Sequence, residues 1–251
     1  MLSRFPSALI EGRLLRRYKR FLADVELGCG KLVTAHCANP GSMLGLCTPG
    51  SKIWLSRSDK AGRKLAYSWE LIEIDIGRGP SLVGINTNAP NGAVAAAIGA
   101  NLIPPLAGYD TLRREVRYGH GCRIDILLEA QGRPPCYVEV KNAHLMRRAG
   151  LAEFPDSVTA RGARHLAALA EVAAAGARAV MLYLVQRGDA DAFALAADID
   201  PAYAKAFADA RTRGVEAHAF ACTLTLDGLQ QPRAIPIVAA EQGPAIAPAH
   251  F

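Results

Sequence analysis

Three charged side chains interrupt two apolar stretches in the segment RIDILLEAQGRPPCYVEVKN, residues 123–142. They are Asp125 in the first stretch, and Glu139 and Lys141 in the second. Charged groups are seldom buried without a partner or a chemical task. Residues two apart on a strand share a face, so Glu139 and Lys141 project from the same side. If the two stretches pair as a hairpin, Asp125 approaches them.

Two carboxylates that approach each other raise one pKa, unless a cation lies between them. Mg²⁺ suits such a pair, because it binds a few carboxylates and keeps water and phosphate oxygens as its other ligands. Mn²⁺ is the alternative ion. A lysine alongside can hold a phosphate or help to activate water, as metal-assisted phosphodiester cleavage requires. The simpler alternative is a buried salt bridge in which Lys141 neutralises one of the acids.

The order of these residues, D-x₁₃-E-x-K, resembles the core of the PD-(D/E)xK nucleases. In that family a further acid comes from a helix before the first strand, and Glu115 in LRREVRYG occupies the corresponding place. The resemblance implies that Glu115, Asp125 and Glu139 are metal ligands, and that these three and Lys141 are the catalytic residues. The elements fit the αβββαβ layout of that core, although one strand is less clear.

A longer resemblance covers residues 11 to about 238. The matching segments are RYKRFLADV, HCANPGSM, TPGSKIWLS, WELIEID, NTN, GYDTLRREVRYG, CRIDILLE, CYVEVKN, FPDSVTARGARHL and GVEAHAF. On these segments the chain resembles the sugar fermentation stimulation protein A (SfsA) family. The resemblance implies an N-terminal OB-like domain, a C-terminal nuclease-like domain and DNA binding. It also implies a part in regulating the genes of sugar metabolism, of the maltose type.

The elements of residues 1–86 are predicted to be short strands separated by turns. Candidate strands cover 14–25, 31–37, 52–57, 65–75 and 81–86. The segments between them are rich in turn-forming residues. Five strands in so short a segment suit a small β-barrel or a sandwich, and an OB-like barrel is one such solution.

Helix and strand signals alternate in residues 87–230, which predicts a mixed α/β domain. The resemblance makes this domain restriction-endonuclease-like. A helix over roughly 91–102 is expected to connect the two domains, and DTLRREV is expected to form another short helix. Strands are expected at 122–129 and 136–141.

Two longer helices follow in the same domain. The first lies in PDSVTARGARHLAALAEVAAAG, with Asp156 or Ser157 as its N-cap. The second begins at Pro201, with Asp200 as its cap. Residues 231–251 have little to bury and are expected to be a loose tail.

The segment RLLRRYKR, residues 13–20, carries five basic residues and no acid, in a chain of net charge +6. This charge favours an anionic partner such as nucleic acid, and an aromatic side chain beside the cations fits base stacking. A solvated basic face is the alternative. The expected nucleic-acid contacts in the segment are Arg16, Arg17, Tyr18, Lys19 and Arg20.

The long helix adds further candidates, Arg161, Arg164 and His165. Arg161 and His165 lie one turn apart and can face a groove beside the acidic cluster. The two arginines are expected nucleic-acid contacts, and His165 is an accessory candidate. Asn39 is another, although turn chemistry alone accounts for its segment ANPGS. No helix with evident base-reading side chains stands out, so the expected DNA binding is largely sequence-non-specific, and RNA is an alternative partner.

The composition limits the remaining classes. A chain of 251 residues with 51% hydrophobic and 21% charged residues suits one large or two modest domains. Six cysteines without zinc-like spacing indicate reduced thiols. No apolar stretch reaches the roughly 18 residues that cross a bilayer, and no signal peptide is evident, so we expect a cytoplasmic protein without a membrane partner. Three hypotheses stay open: a DNA-binding protein, a Mg²⁺-dependent nuclease and an interaction protein with a structural ion pair.

Overall fold

The structure, a computed structural model, describes residues 2–118 and 122–239. Two large β-sheets dominate it, one of six strands and one of seven. The first seven strands are β1 (Ser3–Arg4), β2 (Ile10–Tyr18), β3 (Leu22–Leu27), β4 (Leu32–His36), β5 (Lys52–Arg57), β6 (Tyr67–Asp75) and β7 (Pro80–Gly84). The later elements are α1 (Ala89–Gly99), β8 (Thr111–Tyr118), β9 (Cys122–Glu129), β10 (Cys136–Ala143), β11 (Leu145–Arg148), β12 (Leu151–Phe154), α2 (Ala160–Ala174), β13 (Arg178–Val185), β14 (Ala192–Leu195), α3 (Pro201–Thr212), β15 (Glu216–Thr225) and β16 (Gly228–Ile235).

The six-stranded sheet is the expected OB-like barrel. Its order is β4-β3-β2-β5-β6-β7, and an additional pairing of β4 with β6 closes it. Alternate residues of β3 are buried, as one-sided burial of an antiparallel strand requires. The expected single strand over 14–25 is wrong, because Lys19 and Arg20 adopt positive φ angles of 46° and 66° and turn the chain between β2 and β3.

The seven-stranded sheet carries the candidate chemical residues. Its order is β1-β16-β15-β13-β10-β9-β8, with β13 parallel to both of its neighbours. Residues 179–185 of β13 are all buried, because one core cluster lies between the sheet and α1 and a second contains residues of α2 and α3. The mixed α/β class is therefore confirmed.

The segment DTLRREV is a strand, so the expected short helix is wrong. Its residues form β8, which pairs antiparallel with β9 from Thr111 to Tyr118. Asp110, directly before the strand, donates its backbone N–H to the carbonyl of Glu129. Helix α1, the strands β8, β9 and β10, then α2 and β13 now give the αβββαβ order, and β8 is the strand that the sequence left unclear.

The N-cap of α2 is Thr159, not Asp156 or Ser157. The Thr159 hydroxyl accepts a hydrogen bond from the N–H of Gly162 at 3.0 Å. The Asp156 carboxylate instead accepts one from the N–H of Met43, in the barrel domain, at 2.9 Å. The sequence suggested Asp156 because it lies just before the helix. Its carboxylate instead joins the two domains.

The expected loose tail is wrong for its first residues. Strand β16 extends to Ile235, which is buried, and pairs with β15 on one side and with β1 on the other. Residues 3–4 thus belong to the sheet of the C-terminal domain, although they precede the barrel. The rest of the expected tail, residues 240–251, lies outside the described residues. Among the residues that are described, no helix has the length and apolar character needed to cross a bilayer.

Candidate active site

Asp125 and Glu139 face each other where β9 and β10 separate. The two strands pair at Tyr137 with Leu127 and at Val138 with Ile126, so the next step along both strands is Glu139 with Asp125. Beyond this point an Asp125 carboxylate oxygen, Oδ2, accepts the N–H of Val140 at 2.8 Å. The structure therefore brings these two acids together.

A residue that the sequence did not single out, Asn91 on α1, holds the other oxygen of Asp125. Its Nδ2 donates to Oδ1 of Asp125 at 2.7 Å. Burial raises the pKa of Asp125 to about 6, and the charge of Glu139 adds to the increase. No motif marks Asn91 in the sequence, because an Asn in the first turn of a helix is common without any chemical role.

The two oxygens of the Glu139 carboxylate have different surroundings. Oε1 accepts a hydrogen bond from Nζ of Lys141 at 2.6 Å and contacts Nδ1 of His165. Oε2 is buried and has no hydrogen-bond partner among the described residues. Burial alone would raise the pKa of Glu139, but His165 and Lys141 outweigh it and lower that pKa. The carboxylate is therefore ionised, with one oxygen left over.

The proton of His165 is placed by a second contact from α2. Nε of Arg161, a donor in every state, lies 3.2 Å from Nε2 of His165. Nε2 must then be the acceptor, so Nδ1 carries the proton and donates it to Oε1 of Glu139. Both donors to Glu139 therefore converge on the same oxygen, which leaves Oε2 free.

Glu115 does not join the other two acids. It is exposed on β8, has a positive φ of 56°, and its carboxylate lies 3.3 Å from a guanidinium nitrogen of Arg123. The expected helix that would carry Glu115 to the acids is a strand, and the role of Glu115 as a metal ligand stays a prediction. Within residues 2–118 and 122–239 no group of three His, Cys, Asp or Glu side chains can hold a metal ion.

The pair that remains still fits a hard divalent cation. Mg²⁺ in proteins is commonly bound by one or two carboxylates, with water and substrate phosphate completing its shell. A buried carboxylate oxygen without a partner is costly unless a cation or water satisfies it. Asp125 and Glu139, with Oε2 unpaired, therefore match the requirements of such an ion.

The basic residues of the barrel differ in what they bind. Nε of Arg16 pairs with Asp24 at 2.8 Å, and its guanidinium also stacks over the ring of Tyr18. In the described part of the chain, the side chains of Lys19 and Arg20 form no hydrogen bond or ion pair. These two, not Arg16, are the exposed and unpaired cations of the segment. On α2, Arg161 and Arg164 are also exposed.

Arg17 and Asn39 shape the wall of a cleft between the domains. The Arg17 guanidinium donates to the backbone carbonyls of Asn39 and Gly41, both at 2.9 Å. Asn39 is buried, and its side chain donates to the carbonyl of Ile85 at 3.1 Å. The cleft has a volume of about 730 Å³. Its lining comprises Arg17, Arg20, residues 39–42, Thr87, Asn142, His144 and residues 154–159.

Comparisons with known proteins agree along almost the whole chain. Residues 15–85 match the SfsA N-terminal OB domain, and residues 88–228 match the sugar fermentation stimulation protein RE domain. A sugar fermentation stimulation protein homolog of Methylorubrum populi is 55% identical over 242 residues, covering 96% of this chain and 98% of the relative. A homolog of Rhodospirillum centenum is 59% identical over 226 residues, 90% of this chain and 95% of the relative.

A solved structure is similar in fold. It is described as the structure of Pyrococcus furiosus SfsA in complex with Ca²⁺, and it superposes with a TM-score of 0.83 at 28% identity. The match covers 94% of this chain and 98% of that one. The expected family and the two-domain fold are thus confirmed, and the chain belongs to the SfsA family.

Proposed function

We propose that this protein acts in the cytoplasm as a DNA-binding protein, largely independent of sequence, and that it binds the DNA backbone beside a divalent cation. The observation that carries the proposal is the unpaired Oε2 of buried Glu139, opposite an Asp125 whose pKa is raised to about 6. A divalent cation bound between the two acids would supply a partner for Oε2 and would lower the pKa of Asp125.

The cation proposed for this pair is Mg²⁺ or Mn²⁺. The similar structure from Pyrococcus furiosus is described as a complex with Ca²⁺, another hard ion that prefers oxygen ligands. In this chain Asp125 and Glu139 would supply the protein ligands. Phosphate oxygens of a nucleic acid would complete the shell, because the described residues supply no third acid at this point.

The charge of the molecule supports a polyanionic partner. The chain has a net charge of +6, and Lys19, Arg20 and Arg164 are exposed without ion-pair partners in the described parts of the structure. Phosphate attraction of this kind is independent of sequence and weakens steeply with salt. DNA is the partner we favour, and RNA is the alternative.

A second candidate function, phosphodiester cleavage, is favoured by Lys141. Its Nζ lies at the acidic pair with 16% of the side chain exposed, so it can move from Glu139 to a phosphate and stabilise developing negative charge. Arg161 and His165 would keep Glu139 ionised during that exchange. A bound Mg²⁺ would supply Lewis acidity and a water of lowered pKa.

The names of the relatives suggest the biological setting. The curated homologues are called sugar fermentation stimulation proteins, and on that basis we propose a part in regulating sugar metabolism, of the maltose type. DNA binding without base-reading contacts would serve such a role through DNA organisation or processing.

The decisive experiment compares cation binding, DNA binding and cleavage in matched variants. Asp125→Asn and Glu139→Gln are expected to lose Mn²⁺ binding in calorimetry and cation-dependent DNA binding. Lys141→Met is expected to keep the cation and lose only cleavage. Glu115→Gln, an exposed acid on the neighbouring strand, serves as the control. Normal Mn²⁺ binding by Asp125→Asn would overturn the proposal and leave a structural ion pair.

A further inference from the structure

The turn between β2 and β3 has an unusual composition for its backbone. Lys19 and Arg20 have φ angles of 46° and 66°, which is the left-handed region at two consecutive positions. Residues with a side chain are strained in this region, where Gly, and less often Asn, is preferred. Strain of this type is maintained where the surroundings enforce it, and it concentrates at functional sites.

Arg17 is the residue that enforces this turn. Its Nε donates to the carbonyl of Arg20 at 3.0 Å, while the rest of its guanidinium binds carbonyls of residues 39, 41 and 42. One hydrogen-bond network thus fixes the turn and residues 39–42 as a single wall of the cleft. The guanidinium of Arg17 is occupied by these carbonyls. The exposed cation of this wall is therefore Arg20.

The opposite wall is fastened to the first one. Asp156 accepts the N–H of Met43 through its carboxylate at 2.9 Å, and its backbone carbonyl accepts the hydroxyl of Ser42. Nε2 of His144 lies 3.3 Å from the same carboxylate. The negative charge of Asp156 is therefore satisfied internally, and the cleft presents a net positive, preformed space.

Apolar surface lies beside this charge. Val158, on the wall that contains Asp156, is 74% exposed. Pro40, on the wall that contains Arg20, is also exposed. Exposed apolar side chains next to an unpaired cation match what a single nucleic-acid strand presents, namely flat bases alternating with phosphates. The cleft is linked to the acidic pair through α2, because Thr159 in its lining caps the helix whose His165 contacts Glu139.

We propose that the interdomain cleft is the track for a single nucleic-acid strand, with Arg20 on a backbone phosphate and Val158 and Pro40 against bases. This inference rests on the proposed function and specifies its substrate. A volume of about 730 Å³ is typical of pockets for drug-sized molecules, roughly one or two nucleotides, so a duplex must unpair to enter. The preferred substrate is therefore a single strand or an unpaired end that leads to Asp125 and Glu139.

The test uses the double variant Lys19→Asn/Arg20→Gly in the full-length protein. The variant places Asn and Gly, which tolerate positive φ angles, at the two strained positions, so its melting temperature is expected to rise. Its affinity for a fluorescent single-stranded oligonucleotide, measured by anisotropy in Ca²⁺, is expected to fall roughly tenfold, as loss of a charge-assisted phosphate contact predicts. A rise in stability with a loss of binding cannot result from unfolding.

Matched variants separate the cleft from general charge effects. Lys60→Asn/Lys64→Gly removes two equally exposed cations of the barrel outside the cleft and is expected to change single-strand affinity much less. Val158→Asp is expected to weaken single-strand binding, whereas Leu226→Asp, at another exposed apolar residue, is not.

The outcomes also distinguish this inference from the proposed function. If the cleft variants bind single strands as the parent does, while Asp125→Asn loses the cation and DNA, the track is wrong and the proposed function stands. Equal losses for single strands and for a blunt duplex would also overturn the track. A parent protein that binds no nucleic acid in either form overturns both.

Discussion

The Glu139 carboxylate shows how a few contacts define a chemical site. Lys141 and His165 both donate hydrogen bonds to Oε1. The contact with Arg161 determines which nitrogen of His165 carries the proton. The second oxygen, Oε2, accepts no hydrogen bond from the described residues. An ion pair built for stability alone would satisfy both oxygens, because an unpaired buried acceptor is costly. The asymmetry is therefore the strongest local indication of a ligand.

Glu115 provides a test of what does not belong to the site. Because its φ of 56° is strained for a residue with a side chain, Glu115→Gly is expected to increase the free energy of unfolding by about 0.5–1 kcal/mol. Loss of the exposed pair with Arg123 subtracts little. Urea unfolding measures the gain, and Mn²⁺ calorimetry is expected to show unchanged affinity. Loss of cation binding would restore Glu115 as a ligand.

Asn91 is the residue best placed to supply a third acid. In Asn91→Asp a new carboxylate would replace the amide that lies 2.7 Å from Asp125. Without cation the variant is expected to melt earlier than the parent, because like charges repel. With Mn²⁺ it is expected to gain more stability than the parent does.

Asn88→Asp, at the exposed N-cap of the same helix, is the control for the Asn91 change. It places an acid where the helix dipole favours one, but away from the proposed ligands, so its gain in melting temperature with Mn²⁺ is expected to equal that of the parent. Identical Mn²⁺ responses in Asn91→Asp and in the parent would contradict the position assigned to the ion.

Asp200 joins two helices through one buried carboxylate. Its Oδ1 accepts the N–H of Tyr203 at the start of α3, and its Oδ2 accepts the N–H of Thr159 at the start of α2. Asp200→Ala removes both acceptors and is expected to cost about 2–4 kcal/mol in unfolding free energy. Asp200→Asn keeps an acceptor and should recover part of the loss. Equal stabilities of the Ala variant and the parent in urea would refute this.

Elements with strong local signals were predictable from the sequence. Helix α3 begins at Pro201 after the Asp200 cap, as expected, because both residues act within one turn of the helix. Strand β8 was mistaken for a helix because its identity depends on pairing with β9, which no local pattern reveals. The positive φ of Glu115 also breaks the alternation of burial along β8.

The candidate site was predictable in part, for a related reason. Asp125, Glu139 and Lys141 stand out as charges in apolar strands, and the hairpin between them is local. Asn91 was not predictable, because it reaches Asp125 across a helix–sheet contact between residues 34 positions apart. Arg17 was expected to bind nucleic acid because of its charge. Its guanidinium instead donates to backbone carbonyls of residues that are distant in the sequence, which no local pattern predicts.

The joint between the domains has a predictable response to acid. Burial alone would raise the pKa of Asp156, but hydrogen bonds from His144, Met43 and Ser157 outweigh it and lower the pKa to about 2. A carboxyl whose pKa is lower folded than unfolded adds stability above its unfolded pKa, and that stability is lost as pH falls through the folded value. Asp156 is therefore expected to contribute about 2 kcal/mol above pH about 4, fading towards pH about 2.

The measurement is the unfolding free energy of the parent minus that of Asp156→Asn at a series of pH values. The difference is expected to shrink between pH about 4 and about 2 and to be nearly constant between about 4 and about 5. A difference that does not depend on pH across the acid range would show that Asp156 is not held ionised by these contacts.

The placement of β1 in the seven-stranded sheet makes the barrel an insertion within the other domain. The polypeptide crosses from one domain to the other twice, through residues 5–9 and again through residues 85–88. A module attached by two linkers is held at two points and cannot rotate about a single hinge. A gene fragment that starts at residue 87 also lacks β1. Such a fragment would leave β16 without its outer neighbour. The unpaired backbone groups exposed along β16 would then favour aggregation.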